Sequence, residues 1–248
     1  MSGPVGIEPV AGLPEIGPGD PLGRLIAAAA APRGGDVVVI AQKVVSKAEG
    51  RQRRLAGVEP SARARSLAAG LGKDPRLVEL ILAEARRIVR AERVLIVETH
   101  TGLVCANAGI DSSNVPGEDE VLLLPADPDA SARRLRAEIG TATAGRVAVV
   151  ISDSFGRPWR VGQTDVAIGC AGLDPLDDRR GSPDRDGREL RATEVAIADQ
   201  IAAAADLCRD KAAGLPVAIV RGLGDRVTAA DGPGAAALRR AREADLFR

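Results

Sequence analysis

The sequence predicts a protein that mixes α-helices and β-strands without the strict alternation of a doubly wound sheet. Three observations lead there. Short runs rich in Val and Ile recur along the chain, and helical spacings of apolar residues fall between some of them. Two long polar stretches also interrupt the order where a regular strand–helix–strand unit would have a short turn. With 248 residues the chain can bury a sizeable core, as one domain spanning 1–248 or as two interlocked subdomains.

The first apolar run, DVVVIA at 36–41, reads as a buried strand, and RVLIVE at 93–98, EVLLL at 120–124, RVAVVI at 146–151 and PVAIVR at 216–221 read the same way. Asp74 followed by Pro75 is a helix start, with a capping carboxylate and a residue whose missing N–H costs nothing there. Leu77, Leu80, Ile81, Ala85 and Ile88 then follow at helical spacing. A shorter helix is expected over Ala130 to Ile139, closed by Gly140 as a C-cap. The longest is expected from Thr193 to about Ala213, with an Ala-rich stretch that allows close packing. The stretches 102–119 and 156–190 carry most of the Gly, Asp, Asn and Ser and read as long functional loops.

Composition excludes several classes of function. Lys plus Arg and Asp plus Glu are both 34, so no charge imbalance draws the chain to nucleic acid or to an anionic membrane. Two Phe, one Trp and no Tyr leave little for base stacking, and the core must come from Ala, Val, Leu and Ile. A single His100 removes any multi-histidine metal site or histidine-based triad beyond one residue. Cys105, Cys170 and Cys208 show no CxxC spacing, which fits buried, inert thiols in a reducing cytoplasm better than a disulfide framework. The first residues lack the basic start and apolar stretch of a signal peptide, and no window reaches the roughly 20 apolar residues of a membrane span.

Three stretches that follow apolar strands carry chemistry. AQKVVSKAEG at 41–50 supplies Lys43, Ser46 and Lys47, compact cations suited to phosphate oxygens, although the GxxxxGK[ST] spacing of a phosphate loop is missing. A solvated strand edge is the plain alternative. NAGIDSSN at 107–114 groups Asp111 with amide and hydroxyl oxygens, which suits a hard divalent cation or an Asx turn equally. VVISDSFGRPWR at 149–160 delivers Asp153 and Ser154 at a strand end and then Arg157 and Arg160. The carboxylate and hydroxyl could hold a metal while the arginines hold a triphosphate or a carboxylate. Trp159, between the arginines, reads as a hydrophobic plug or as part of the site. GQTD at 162–165 and IGCAG at 168–172 add glycines that let backbone approach a ligand. Two carboxylates from separate strand ends, with cations nearby, suit phosphoryl transfer.

Several of these segments, in this order, resemble one family. GLPE at 12–15, VVSKAEG at 44–50, NAGIDSSNV at 107–115 and DSFGR at 153–157 are similar to the coenzyme F420:L-glutamate ligases, also called F420-0:gamma-glutamyl ligases. GREL at 187–190, TEVA at 193–196 and VRG at 220–222 continue the match, which runs over nearly the whole chain. The N-terminal half of the longer FbiB-type members is similar too; their second, flavin-binding domain is not expected here.

The resemblance implies an α+β class, the CofE-like fold of mixed β-sheets with flanking helices, and an intertwined homodimer. It implies GTP-dependent addition of L-glutamate to the lactyl carboxylate of F420-0, through an acyl phosphate, then a second, gamma-linked glutamate on F420-1. Magnesium or manganese, two ions per site, would assist, with potassium as a candidate additional ion. By the same resemblance Asp111, Asp153 and Lys47 are catalytic. Asp111 and Asp153 would bind the first metal, and Ser154 and Asp210 the second. Leu13, Pro14, Glu15, Ile16, Gln42, Lys43, Lys47 and Asn114 would contact the nucleotide. Gln42 and Lys43 stand where the family has small hydroxyl residues, and Ser154 where it commonly has Thr. The competing expectations are a metal-dependent phosphotransferase or phosphatase on another small carboxylate, and a nucleotide-binding subunit without activity.

Overall fold

The computed structural model describes residues 3–111, 117, 119–209 and 214–245. In chain order its first half contains β1 (Gly6–Pro9), α1 (Leu22–Ala30), β2 (Val37–Ala41), α2 (Gln42–Ala48), β3 (Gln52–Arg54), α3 (Ala62–Leu71), α4 (Pro75–Glu84), β4 (Ala85–Glu92) and β5 (Val94–Thr99). Then come β6 (Val104–Ala106), β7 (Glu120–Leu122), α5 (Pro128–Gly140), β8 (Ala148–Arg157), β9 (Arg160–Ala171), β10 (Leu176–Asp178), β11 (Glu194–Ala196), α6 (Ile197–Asp206) and β12 (Val217–Arg221). Several sheets mixed with helices match the α+β expectation.

The largest sheet has the order β1-β12-β2-β8-β9. Only β2 and β8 run parallel; the other neighbours are antiparallel. β2, the start of β8 (Ala148–Ile151) and Val217–Val220 of β12 are apolar at every position because both faces are covered there. In β2, Val38 and Ile40 face one way and pack with Ile26 of α1, Val45 of α2 and Leu135 and Ile139 of α5. Val37 and Val39 face the other way, against Ala198, Ile201, Ala202 and Ala205 of α6. Each fully buried Ile or Leu contributes about 1.5–3 kcal/mol relative to exposure, so these two layers hold the sheet. The alanines of α6 replace the missing aromatics by letting the helix lie close. Gly169 serves the same end on β9: a Cβ there would run into the Pro128 carbonyl oxygen at the start of α5.

A second, smaller unit of structure rests on its own apolar cluster. Ala64 and Ala68 of α3, Val78 and Ile81 of α4, and Leu95 and Val97 of β5 are all buried together. They cover one side of the antiparallel sheet β4-β5-β6. Among the described residues, no helix is long and apolar enough to cross a membrane.

The five expected strands form, but several boundaries change. The helix from Asp74 ends at Glu84, and Ala85–Glu92 is strand β4, paired with β5 along its length. Ala85 and Ile88 keep their inward role through strand pairing rather than helical spacing. Gly140 is the last residue of α5 without a left-handed backbone, so it is not the cap expected of it. The long helix begins at Ile197, after β11, and ends at Asp206. The stretch 156–190 is not one loop: most of its first half is the twelve-residue strand β9. Its polar early residues are exposed in a projecting hairpin, which hides the strand from a reading based on burial.

Candidate functional site

The parallel strands β2 and β8 end at the same edge of the main sheet, and their carboxyl ends open onto a cleft of about 1610 Å³. Crevices beyond strand carboxyl ends are the usual ligand position in such sheets. The volume exceeds the roughly 300–1,000 Å³ of a pocket for one small ligand, so there is room for more than one. Ala41, Gln42, Lys43 and Lys47 line it from β2 and α2, and Ser152 to Arg157 from β8. Val94, Ile96, Val104 and Ala106 of the smaller sheet line it too, joined by Asn107, Ile110 and Asp111, and residues 13–16 complete the lining.

Most of the expected site residues therefore meet: Leu13, Pro14, Glu15, Ile16, Gln42, Lys43, Lys47, Asp111, Asp153 and Ser154 share this one cleft. Asn114 and Asp210 lie outside the described residues. Lys43 and Lys47 do not stand on a solvated strand edge, the plain alternative for this segment. They lie on α2, which starts one residue after β2, and a spacing of four puts both on one side of the helix. Lys43 Nζ is 2.7 Å from Asp111 Oδ2, and Lys47 Nζ is 2.5 Å from Glu15 Oε1. Ser46, named with them, is fully buried and donates to Gln42 Oε1 at 2.9 Å, so it ties the helix together rather than facing the cleft.

Asp111 is carried by an unusual piece of backbone. Asn107, Ala108 and Gly109 all have positive φ, at 52°, 55° and 68°, and Asp111 then bridges to Leu122. Two non-glycine residues in the left-handed region cost roughly 1–2 kcal/mol each. A side chain at Gly109 would also meet Leu124 at 2.6 Å. Asn107, Ala108 and Gly109 thus form a left-handed turn that delivers Asp111 to the cleft.

On β8, alternation turns Asp153 toward one face of the sheet and Ser152 and Ser154 toward the other. Asp153 lies close enough to Cys105 of β6 for its charge to act there. Burial first, and the Asp153 charge second, push the Cys105 thiol up to about 12. Burial also pushes Cys170 up to about 12, so these two thiols fit the expected buried, unreactive state, whereas Cys208 is only part-buried. On the other face Ser154 stands directly opposite Asp165 of β9. Its Oγ donates to Asp165 Oδ1 at 2.6 Å, and Ser152 Oγ donates to Asp165 Oδ2 at 2.8 Å. Arg209, just after α6, donates to Ser152 Oγ at 2.9 Å and pairs with Asp165. Asp165 and Arg209 were not singled out in the sequence; the one available signal is strand alternation, which puts Asp165 and Ala167 on one face of β9.

Arg157 lines the cleft and donates to the Val161 carbonyl at 2.7 Å, bracing the hairpin turn. Trp159 is not a core plug: it is 86% exposed at the hairpin tip.

The donors suit a hard divalent cation. Asp111, Asp153 and Ser154 offer only oxygen, and Asn107 Oδ1, at the same cleft, is buried without a hydrogen-bond partner among the described residues. Among the described residues, no three His, Cys, Asp or Glu side chains form a metal-holding group. An ion here would draw its remaining ligands from water and substrate phosphates, which is ordinary for magnesium. The cleft also carries unmet donors. Gln42 Nε2 and Arg209 Nε and Nη1 are buried with no partner among the described residues.

Known proteins resemble this chain closely. The family model described as F420-0:Gamma-glutamyl ligase matches residues 12–222. A coenzyme F420:L-glutamate ligase of Methanopyrus kandleri is 47% identical over 245 residues, covering 98% of this chain and 97% of that protein. One of Methanothermobacter thermautotrophicus is 46% identical over 253 residues, covering 98% of both. One of Methanocaldococcus jannaschii is 44% identical over 216 residues, covering 86% of this chain and 85% of that protein. Shared ancestry over almost the full length, with the motif residues gathered in one cleft, leads to a single conclusion: this chain belongs to the F420-0:gamma-glutamyl ligase family.

Proposed function

We propose that this chain is a cytoplasmic ligase that uses GTP to join L-glutamate to the lactyl carboxylate of coenzyme F420-0, and then adds a gamma-linked second glutamate to F420-1. The relatives named above support the reaction; the observation that carries its nucleotide half is the set of buried, unpartnered donors at the cleft. A buried donor without a partner costs about 1–3 kcal/mol, and phosphate oxygens would relieve it.

The γ-phosphoryl group of GTP passes to an oxygen of the substrate carboxylate, and GDP leaves. The acyl phosphate carries a good leaving group, so the glutamate amine attacks its carbonyl carbon, losing a proton as inorganic phosphate departs. Lys43 and Lys47 turn from Asp111 and Glu15 toward the phosphates, and residues 13–16, Gln42 and Asn114 hold the nucleotide. Asp111 and Asp153 would hold one divalent ion, and Ser154 and Asp210 a second. Magnesium or manganese would neutralise charge on the transferring group. The apolar strand ends of β5 and β6 keep water from the acyl phosphate. The working form is an intertwined homodimer of single-domain chains.

Incubation with F420-0, glutamate, GTP and manganese tests the proposal by product mass. Gain of one or two glutamyl units is expected, and Asp111→Asn or Asp153→Asn abolishes it while the melting temperature stays near that of the parent chain. GTP consumed without any mass gain would point instead to a phosphotransferase or phosphatase.

A further inference from the structure

We propose that Asp165, held by Arg209, is a positioning residue that sets which way the Ser154 hydroxyl presents itself to the cleft. The inference rests on the reading of Ser154 as a cation ligand. A hydroxyl has one proton and two lone pairs. The Ser154 proton is committed to Asp165 Oδ1 at 2.6 Å, so a group approaching from the cleft meets oxygen lone pairs and not the proton. That is the orientation a cation requires and an anion avoids.

The arrangement keeps Asp165 acceptor-only. Its other oxygen, Oδ2, accepts from Ser152 Oγ at 2.8 Å and from the Arg209 guanidinium. Arg209 also donates to Ser152 Oγ, which fixes that serine's proton on Asp165. The side chains of Arg209 and Asp165 are 4% and 5% exposed, so neither can turn to water instead. Strand register supplies the aim: Asp165 is the cross-strand partner of Ser154, and Ser152, two residues back, lies on the same face. The directions of both serine protons are thus decided by this one carboxylate.

Asp165→Asn would reverse the polarity. Arg209 only donates, so the new carbonyl turns toward it, and the amide NH₂ is left facing Ser154. Ser154 then accepts from the amide, and its proton swings into the cleft.

The test is manganese affinity of the protein without nucleotide, read by electron paramagnetic resonance with the metal alone. Four chains are compared: the parent, Asp165→Asn, Ser154→Ala and the two together. The expectation is about 10- to 100-fold weaker manganese binding for Asp165→Asn, the range seen when a ligand's supporting partner is lost. Ser154→Ala weakens it comparably, and the double variant is no weaker than Ser154→Ala alone. Melting curves accompany each chain. Because Asp165→Asn leaves Arg209 only the Asp206 carboxylate, 3.8 Å away, as counter-charge, Asp165→Asn with Arg209→Lys is measured as well; the lysine ammonium also only donates, so the same loss of manganese affinity is expected. Undiminished binding in Asp165→Asn, or an equal further loss in the Ser154→Ala chain, overturns the positioning role. If Ser154→Ala itself binds manganese as the parent does, the reading of Ser154 as a ligand falls, and this inference with it.

Discussion

The two walls of the cleft hold their charges in different ways. On the α6 side, Arg209 and Asp165 are almost entirely buried, at 4% and 5% exposure, and three donors converge on one carboxylate. On the α2 side, Lys43 and Asp111 keep 18% and 32% of their side chains in solvent, and Lys47 and Glu15 keep 11% and 79%. A buried pair cannot exchange its partner without a large desolvation cost. A pair with at least one carboxylate reaching solvent can, because water screens both the old contact and the loss of it. The α6 wall therefore works as a fixed template, and the α2 wall as the part that can release its lysines to an incoming anion.

This contrast can be broken most sharply at Arg209. Arg209→Met leaves Asp165 as a lone buried charge and should cost about 3–5 kcal/mol in urea unfolding. A cost below about 1 kcal/mol would mean that the two walls do not differ. Next comes the packing that holds the template in place. Gly169→Ala pushes a methyl into the Pro128 carbonyl and should destabilise by about 1–3 kcal/mol, seen as a lower melting temperature. On the other wall, Lys43→Met should change stability by less than about 1 kcal/mol. It should nevertheless weaken GTP binding about tenfold by calorimetry, since a charged hydrogen bond to phosphate is lost. The smallest effect lies at Asp199 on α6. Burial holds its carboxyl above the ordinary carboxylate range, although the Ala167 N–H pulls the other way. The folded state thus binds that proton more tightly than the unfolded chain does, so the charged form opposes folding at neutral pH. Asp199→Asn keeps the acceptor for Ala167 and should stabilise by about 0.5 kcal/mol at pH 7. The gain should shrink as acid protonates the parent's Asp199.

What was legible in the sequence follows the same division. Val37–Ala41 and the start of β8 announce themselves because strands covered on both faces must be apolar throughout. Asp111, Asp153 and Lys47 stand out because charge next to an apolar run is conspicuous. The α6 wall was hidden. Asp165 sits among Gly, Gln and Thr that resemble a loop, and its partner Ser154 is set by the pairing of two strands, which no local pattern reports. Arg209 follows an alanine-rich helix whose expected length reached past it. In β4, apolar residues at helical intervals were taken up by strand pairing with β5, where tertiary contact overrides local spacing.

The elevated thiols have a practical use. A cysteine held near 12 is ionised to roughly one part in 10⁵ at pH 7, so alkylating reagents should pass it by while the protein stays folded. Cys105 lies on β6, at the seam between the smaller sheet and β8, whereas Cys170 lies deep in the main sheet. Labelling of Cys105 before Cys170 would time the parting of that seam, making the chain its own clock for local unfolding.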